Sequence, residues 1–169
     1  MILKKIKNSI DTVLKWIVII IMAGMTINVL WQVFSRFILE TPSSFTEELA
    51  RYMLVWLGIL GASYVAGQKM HLAIDLLSTK LEGKSKSILE IAIQLFVFVF
   101  AFFVMFIGGI RLITITFTLN QISAALQIQL GYIYLVVPLS GLLMMYYSFY
   151  FVYEEVKKIK LISSTNIQA

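Results

Sequence analysis

Few residues in this chain have the chemistry to hold a proton or an ion. His71 and Asp75 stand four apart, the spacing that puts two side chains on one helix face. A zinc site takes several Cys, His or carboxylate ligands, and the chain has one histidine and no cysteine. The pair therefore reads as a hydrogen-bonded structural couple, not a ligand set or an acid–base dyad. A haem held by two histidines, and with it a redox anchor, is excluded. Glu47, Glu48 and Arg51 form the second candidate group. Ser44 and Glu47 have capping-box spacing, and acidic side chains favour a helix N-terminus. Arg51 lies four residues after Glu47 and three after Glu48, within reach of either. Two readings stand: a capped helix start with an internal ion pair, or a cluster that docks a partner chain.

The elements that carry these groups are greasy. Soluble domains are about half apolar and about a quarter charged; here the figures are 60% and 14%, with a mean hydropathy of +0.89. Crossing a ~30 Å hydrocarbon layer takes about 20 helical residues. Residues 16–35, 52–68, 91–110 and 112–153 carry no charged side chain. The last run is too long for one span and contains a polar patch from Thr114 to Gln129, read as a loop or a surface helix. The fourth span then runs from about Gly131 to Tyr153, with Pro138 predicting a kink. The fold class expected is an all-α integral membrane protein: four transmembrane helices plus short amphipathic interfacial helices. Residues 1–160 form one membrane domain and 161–169 a polar tail.

Charge placement gives an orientation. Every lysine falls in the N-terminal segment, the second loop or the C-terminal segment, while Arg36, Arg51 and Arg111 fall on the other side. The positive-inside rule places both termini and the second loop in the cytoplasm. The N-terminal apolar run is too long for a signal peptide and lacks a small-residue cleavage site, so it is expected to remain as the first helix. Leu3, Ile6, Ile10, Val13 and Ile17 recur at helical spacing against lysines and Asp11, as in an interfacial helix. In the second loop, His71, Asp75, Ser78 and Glu82 line one stripe and Leu72, Ala73, Leu76 and Leu77 another, again an interfacial pattern. Arg36 and Arg111 are expected to snorkel to the opposite interface. Trp31, Trp56 and Tyr134 anchor or pack spans, and the run from Tyr146 to Tyr153 forms an interfacial aromatic belt.

Ionisable groups at mid-bilayer depth are costly and mark ion or proton pathways, and no expected span has one at its centre. That excludes a proton-coupled carboxylate transporter and a voltage sensor. The net charge of +5 reflects lysines kept on one membrane face, not nucleic-acid binding. An accessory role beside a larger membrane protein is the first expectation. A self-sufficient homo-oligomeric small transporter or channel is the alternative.

A family resemblance then becomes specific. Trp31-Gln32-Val33-Phe34-Ser35-Arg36-Phe37 closes the first span, and Pro42 with Thr46-Glu47-Glu48-Leu49-Ala50-Arg51 opens the second. Trp56-Leu57-Gly58, His71-Leu72-Ala73-Ile74-Asp75, Ser123-Ala124-Ala125-Leu126, Tyr132-Ile133-Tyr134, Pro138 and Gly141 follow in order. Across 31–145 the chain resembles the DctQ-type small membrane subunit of tripartite ATP-independent periplasmic (TRAP) transporters. It departs at Phe45, where the family often has Trp, and at Lys69-Met70, where it often has Arg-Gly. The resemblance implies a bacterial inner-membrane location, no cofactor in this chain, and sodium ions held in a large multi-span partner subunit. It also implies a periplasmic substrate-binding protein that delivers an organic acid, either a C4-dicarboxylate or a sialic acid. This chain would be a non-enzymatic scaffold, packed on the static part of the large subunit and bordered by membrane lipid.

The orientation can be checked directly, because the chain has no cysteine. A cysteine replacing Ser43 should react with a membrane-impermeant maleimide added from the periplasmic side, and one replacing Ser85 should not. The opposite pattern inverts the topology.

Overall fold

The computed structural model describes residues 2–39, 43–68 and 83–165. Helix α1 (Ile2–Phe37) is one unbroken rod of 36 residues, about 54 Å long at ~1.5 Å per residue. The lysine-bearing N-terminal segment is therefore the first part of the spanning helix and not a separate one. Its apolar stripe explains the continuity: Leu3 and Ile10 pack against the same core that buries Leu14. Helix α2 (Ser44–Gly67) starts at Ser43, whose hydroxyl accepts the Thr46 N–H at 3.5 Å. The cap thus sits one residue earlier than the Ser44–Glu47 spacing predicts.

The third span is longer than the expected 91–110. Helix α3 (Gly83–Phe100), a π-helical stretch (Ala101–Ile107) and α4 (Gly108–Thr118) follow without interruption. Thr114, Thr116 and Thr118 lie inside this helix. Each donates its hydroxyl to the carbonyl four residues back, at 2.9, 2.6 and 2.8 Å. Local back-bonding satisfies these polar groups, so they do not end the helix. The loop proper is 119–129, shorter than the polar patch. The fourth span divides into α5 (Leu130–Tyr134) and α6 (Val136–Thr165), with a break at Leu135. Pro138 has no N–H for the Tyr134 carbonyl one turn earlier, which accounts for the break. Helix α6 continues past residue 160, so the polar tail begins as helix.

Four helical rods are long and apolar enough to cross a membrane: Leu3–Phe37, Ser44–Gly67, Ser85–Thr118 and Leu130–Lys160. They form an open row more than a closed bundle. Helix α1 packs on α2, α2 on α6, and α6 on the third rod, while α1 and the third rod share no extensive interface. In the most apolar stretch of the fourth rod 39% of residues are buried, against 6% in the first and third. Helix α6 therefore organises the layer, and the outer rods offer most of their surface to lipid or to another protein.

A close approach of helix to helix lies between α6 and the π-helical stretch. A Cβ at Gly141 would stand 3.0 Å from the Met105 Cβ, 3.0 Å from the Phe106 nitrogen and 3.2 Å from the Ala101 carbonyl oxygen. Only glycine allows this approach. Small residues at a crossing let membrane helices gain dispersion contacts that lipid tails do not offer. A bulky side chain there forces the rods apart, at about 1–3 kcal/mol by analogy with overpacked cores. Gly141→Leu should lower the midpoint of thermal unfolding in detergent. Gly58→Leu, where a side chain meets nothing within 4 Å, should leave it unchanged. Equal midpoints for both variants contradict the packing described.

Candidate functional site

At one end of the layer the polar residues converge on Glu48. Helix α2 carries Glu48 in its second turn, partly buried beside the loop 119–129. Its Oε1 accepts the Tyr52 hydroxyl at 2.8 Å. Its Oε2 accepts the Ala125 N–H at 2.6 Å and the Leu126 N–H at 3.1 Å. The Leu126 N–H also reaches the hydroxyl of the buried Ser123 at 3.3 Å. Hydrogen bonds to a charged carboxylate are roughly twice as strong as neutral ones, so Glu48 clamps the loop onto α2. The loop braces itself as well, through Ser123 N–H to Ile128 O (2.9 Å) and Leu130 N–H to Gln121 O (2.9 Å). Asn120 and Gln127 take positive φ, 48° and 56°, at its corners. Asn28 closes the same end by donating to the Thr46 carbonyl at 2.7 Å.

Glu47 and Arg51 face outward. Their ion pair is 3.5 Å long, with side chains 63% and 67% exposed, and such surface pairs contribute little to stability. Arg51 thus pairs with Glu47, while Glu48 bonds to the loop. Trp56 donates its indole N–H to the Ile133 carbonyl at 2.9 Å, joining α2 to α5 just before the break. Pro138 is buried, with its ring where a Cβ at Gly109 would come within 2.9 Å. Tyr134 is half-buried in the last turn of α5. Arg36 and Trp31 lie exposed near the end of α1, with Trp31 stacked on Phe34 at 5.8 Å. His71 and Asp75, with the polar stripe of the second loop, lie outside the described residues.

The opposite end holds a cluster that the sequence patterns miss. Asp11 accepts the Lys7 ammonium at 2.6 Å and the Tyr147 hydroxyl at 2.7 Å. Tyr147 is 1% exposed and packs so closely on Gly67 that a Cβ there would stand 2.6 Å from its ring. Tyr146 donates to the Leu3 carbonyl at 3.3 Å. Together these contacts tie α1, α2 and α6. The aromatic run is thus divided by helical period: Tyr147, Tyr150 and Phe151 point inward, while Phe149 and Tyr153 stay exposed. One signal was present in the sequence. Asp11 is the only acid before Glu40, and it stands four residues after Lys7.

Between the two ends the rods are without charge. Residues 16–35, 52–67, 91–110 and 130–153 of the four rods hold no Asp, Glu, Lys, Arg or His. Among the described residues no group of three or more His, Cys, Asp or Glu gathers to hold a metal. The arrangement binds helices and a loop to one another.

This is a multi-pass helical membrane protein, and comparison with known proteins places it further. The family model described as "Tripartite ATP-independent periplasmic transporters, DctQ component" matches residues 25–158. The chain belongs to that family. It is 30% identical over 97 residues to the sialic acid TRAP transporter small permease protein SiaQ of Vibrio cholerae, covering 57% of this chain and 54% of the relative. It is 26% identical over 137 residues to a putative TRAP transporter small permease protein of Haemophilus influenzae, 81% of each chain. A match of 33% identity over 116 residues to the sialic acid TRAP transporter permease protein SiaT of Haemophilus influenzae covers 68% of this chain but 18% of that one. The chain spans about half the length of SiaQ and of a further Haemophilus influenzae small permease, 54% and 55%.

The clamp makes a residue-level prediction. Glu48→Ala should speed hydrogen exchange at the Ala125 and Leu126 amides and open 119–129 to protease. Glu47→Ala should do neither. Unchanged exchange in Glu48→Ala contradicts the clamp.

Proposed function

We propose that this chain is the small scaffold subunit of a TRAP transporter in the bacterial inner membrane, with both termini cytoplasmic and 1–160 acting as one membrane domain. The observation that carries the reading is the open row of helices with no ionisable group at mid-bilayer depth in any of the four rods. A coupled transporter must stabilise solute and ion within the membrane, which calls for polar or charged groups there. Support needs something else: rigid rods, broad apolar faces and firmly fixed ends. The outer rods have such faces, and the Glu48 and Asp11 clusters fix the ends. The match to SiaT adds support, because in that relative a sequence like this one makes up 18% of a longer permease. A covalent link there would hold together what separate chains hold by contact here.

In this reading a large multi-span subunit carries the solute and sodium sites and moves. This chain widens the static part against which the motion works. A periplasmic binding protein delivers an organic acid, with a sialic acid or a C4-dicarboxylate as the first compounds to try, and the end bearing Arg36, Arg51 and the Glu48-clamped loop is the edge nearest to it. A tag on this chain, pulled from native membranes in mild detergent, should bring down a much larger membrane chain in fixed ratio. Recovery of this chain alone, as a homo-oligomer, would overturn the reading.

A further inference from the structure

On one face of the row the described residues leave a groove between their side chains. Where α1 crosses α2 and α6, an open groove of ≈ 370 Å³ is walled by Ile10, Val13 and Ile17 of α1, Trp56 of α2, and Leu139 and Leu143 of α6. Toward the N-terminus it meets a second cleft of ≈ 350 Å³ that shares Ser9 and Ile10 and reaches Lys5. Among the described residues no acidic side chain lines either cleft. The neighbouring cleft that holds Lys4 and Lys7 differs, because Glu154 lines it as well. We infer that the groove is a phospholipid site: one acyl chain lies along Ile10–Ile17, and the Lys5 ammonium meets the phosphate of an anionic headgroup.

Dimensions favour this occupant over a protein helix. From Ile10 to Ile17 the helix rises about 10 Å at ~1.5 Å per residue, so ≈ 370 Å³ leaves a channel of about 35 Å² in section. A helix with its side chains is about 10–12 Å across and does not fit; a single hydrocarbon chain does. Charge sits at one end of the groove and apolar surface along the rest, as in a phospholipid. Lys7 is neutralised by Asp11 at 2.6 Å, whereas no carboxylate lines the cleft of Lys5. The inference rests on the membrane-spanning fold and stands apart from the transport reading.

Trp56 provides the reporter. The full chain carrying Trp16→Phe and Trp31→Phe keeps Trp56 as its single tryptophan. In phosphatidylcholine vesicles containing lipids brominated along the acyl chain, brominated phosphatidylglycerol should quench Trp56 at about fivefold lower mole fraction than brominated phosphatidylcholine, the preference one lysine confers near an anionic lipid. Lys5→Gln should abolish the preference, and Lys157→Gln, at the far end of α6, should keep it. Leu143→Phe, which fills the groove, should reduce quenching by both lipids. Equal quenching by the two lipids, or an unchanged preference in Lys5→Gln, overturns the site. Loss of quenching when the chain is bound to its large membrane partner also overturns it, by giving the groove to protein.

Discussion

Lipid hydrocarbon supplies no hydrogen bonds, so a membrane helix must satisfy its polar groups within itself or against a neighbouring helix. This chain meets that constraint by sorting. Charged residues stay outside the apolar stretches 16–35, 52–67, 91–110 and 130–153, and beyond them Glu48 is clamped by two backbone amides and a tyrosine and Asp11 by a lysine and a tyrosine. Inside the layer most polar side chains bond locally, while the buried Ser140 and Ser148 hydroxyls have no partner among the described residues. Ser63 bonds to the Ile59 carbonyl at 3.3 Å, and the threonines of α4 bond back along their own helix. Where proline and the π-helical stretch disturb the ladder, glycine brings helices close and the Trp56 indole joins α2 to α5.

The same sorting explains the shape of the assembly. With the polar fastenings at the two ends, little is left to draw four rods into a closed bundle, since lipid tails are as apolar as the side chains. The rods line up in a row in which α2 and α6 are the inner helices, and α6 is the more buried of the two. A row has two broad faces, and the described residues close off neither. In the proposed scaffold reading, such a layer stands beside a larger body that moves while the layer stays still.

Much of this was legible before any coordinates. Charge-free runs, divided by charged segments and in the last case by the uncharged polar patch, predict four rods, and Pro138 predicts a disturbance in the last. The Glu-Glu-Leu-Ala-Arg stretch from Glu47 to Arg51 marked both a helix start and a family. What escaped was long-range. Nothing in the sequence links Glu48 to amides 77 and 78 residues away, because backbone N–H groups carry no side-chain signature. Tyr147 resembled its exposed neighbours in composition, and only the helical phase relative to α1 and α2 puts it in the core. Thr114, Thr116 and Thr118 misled in the other direction. They count as polar in a hydropathy profile, yet a helix absorbs their hydroxyls without cost to its continuity.

The central claim is that these rods support a transport pathway without forming one. The most direct test is flux of labelled organic acid, with and without a sodium gradient, into liposomes holding purified chain at high density. The account predicts no uptake above protein-free liposomes for this chain alone, and uptake once the large membrane subunit and the binding protein are added. Sodium-dependent uptake by this chain alone would contradict it.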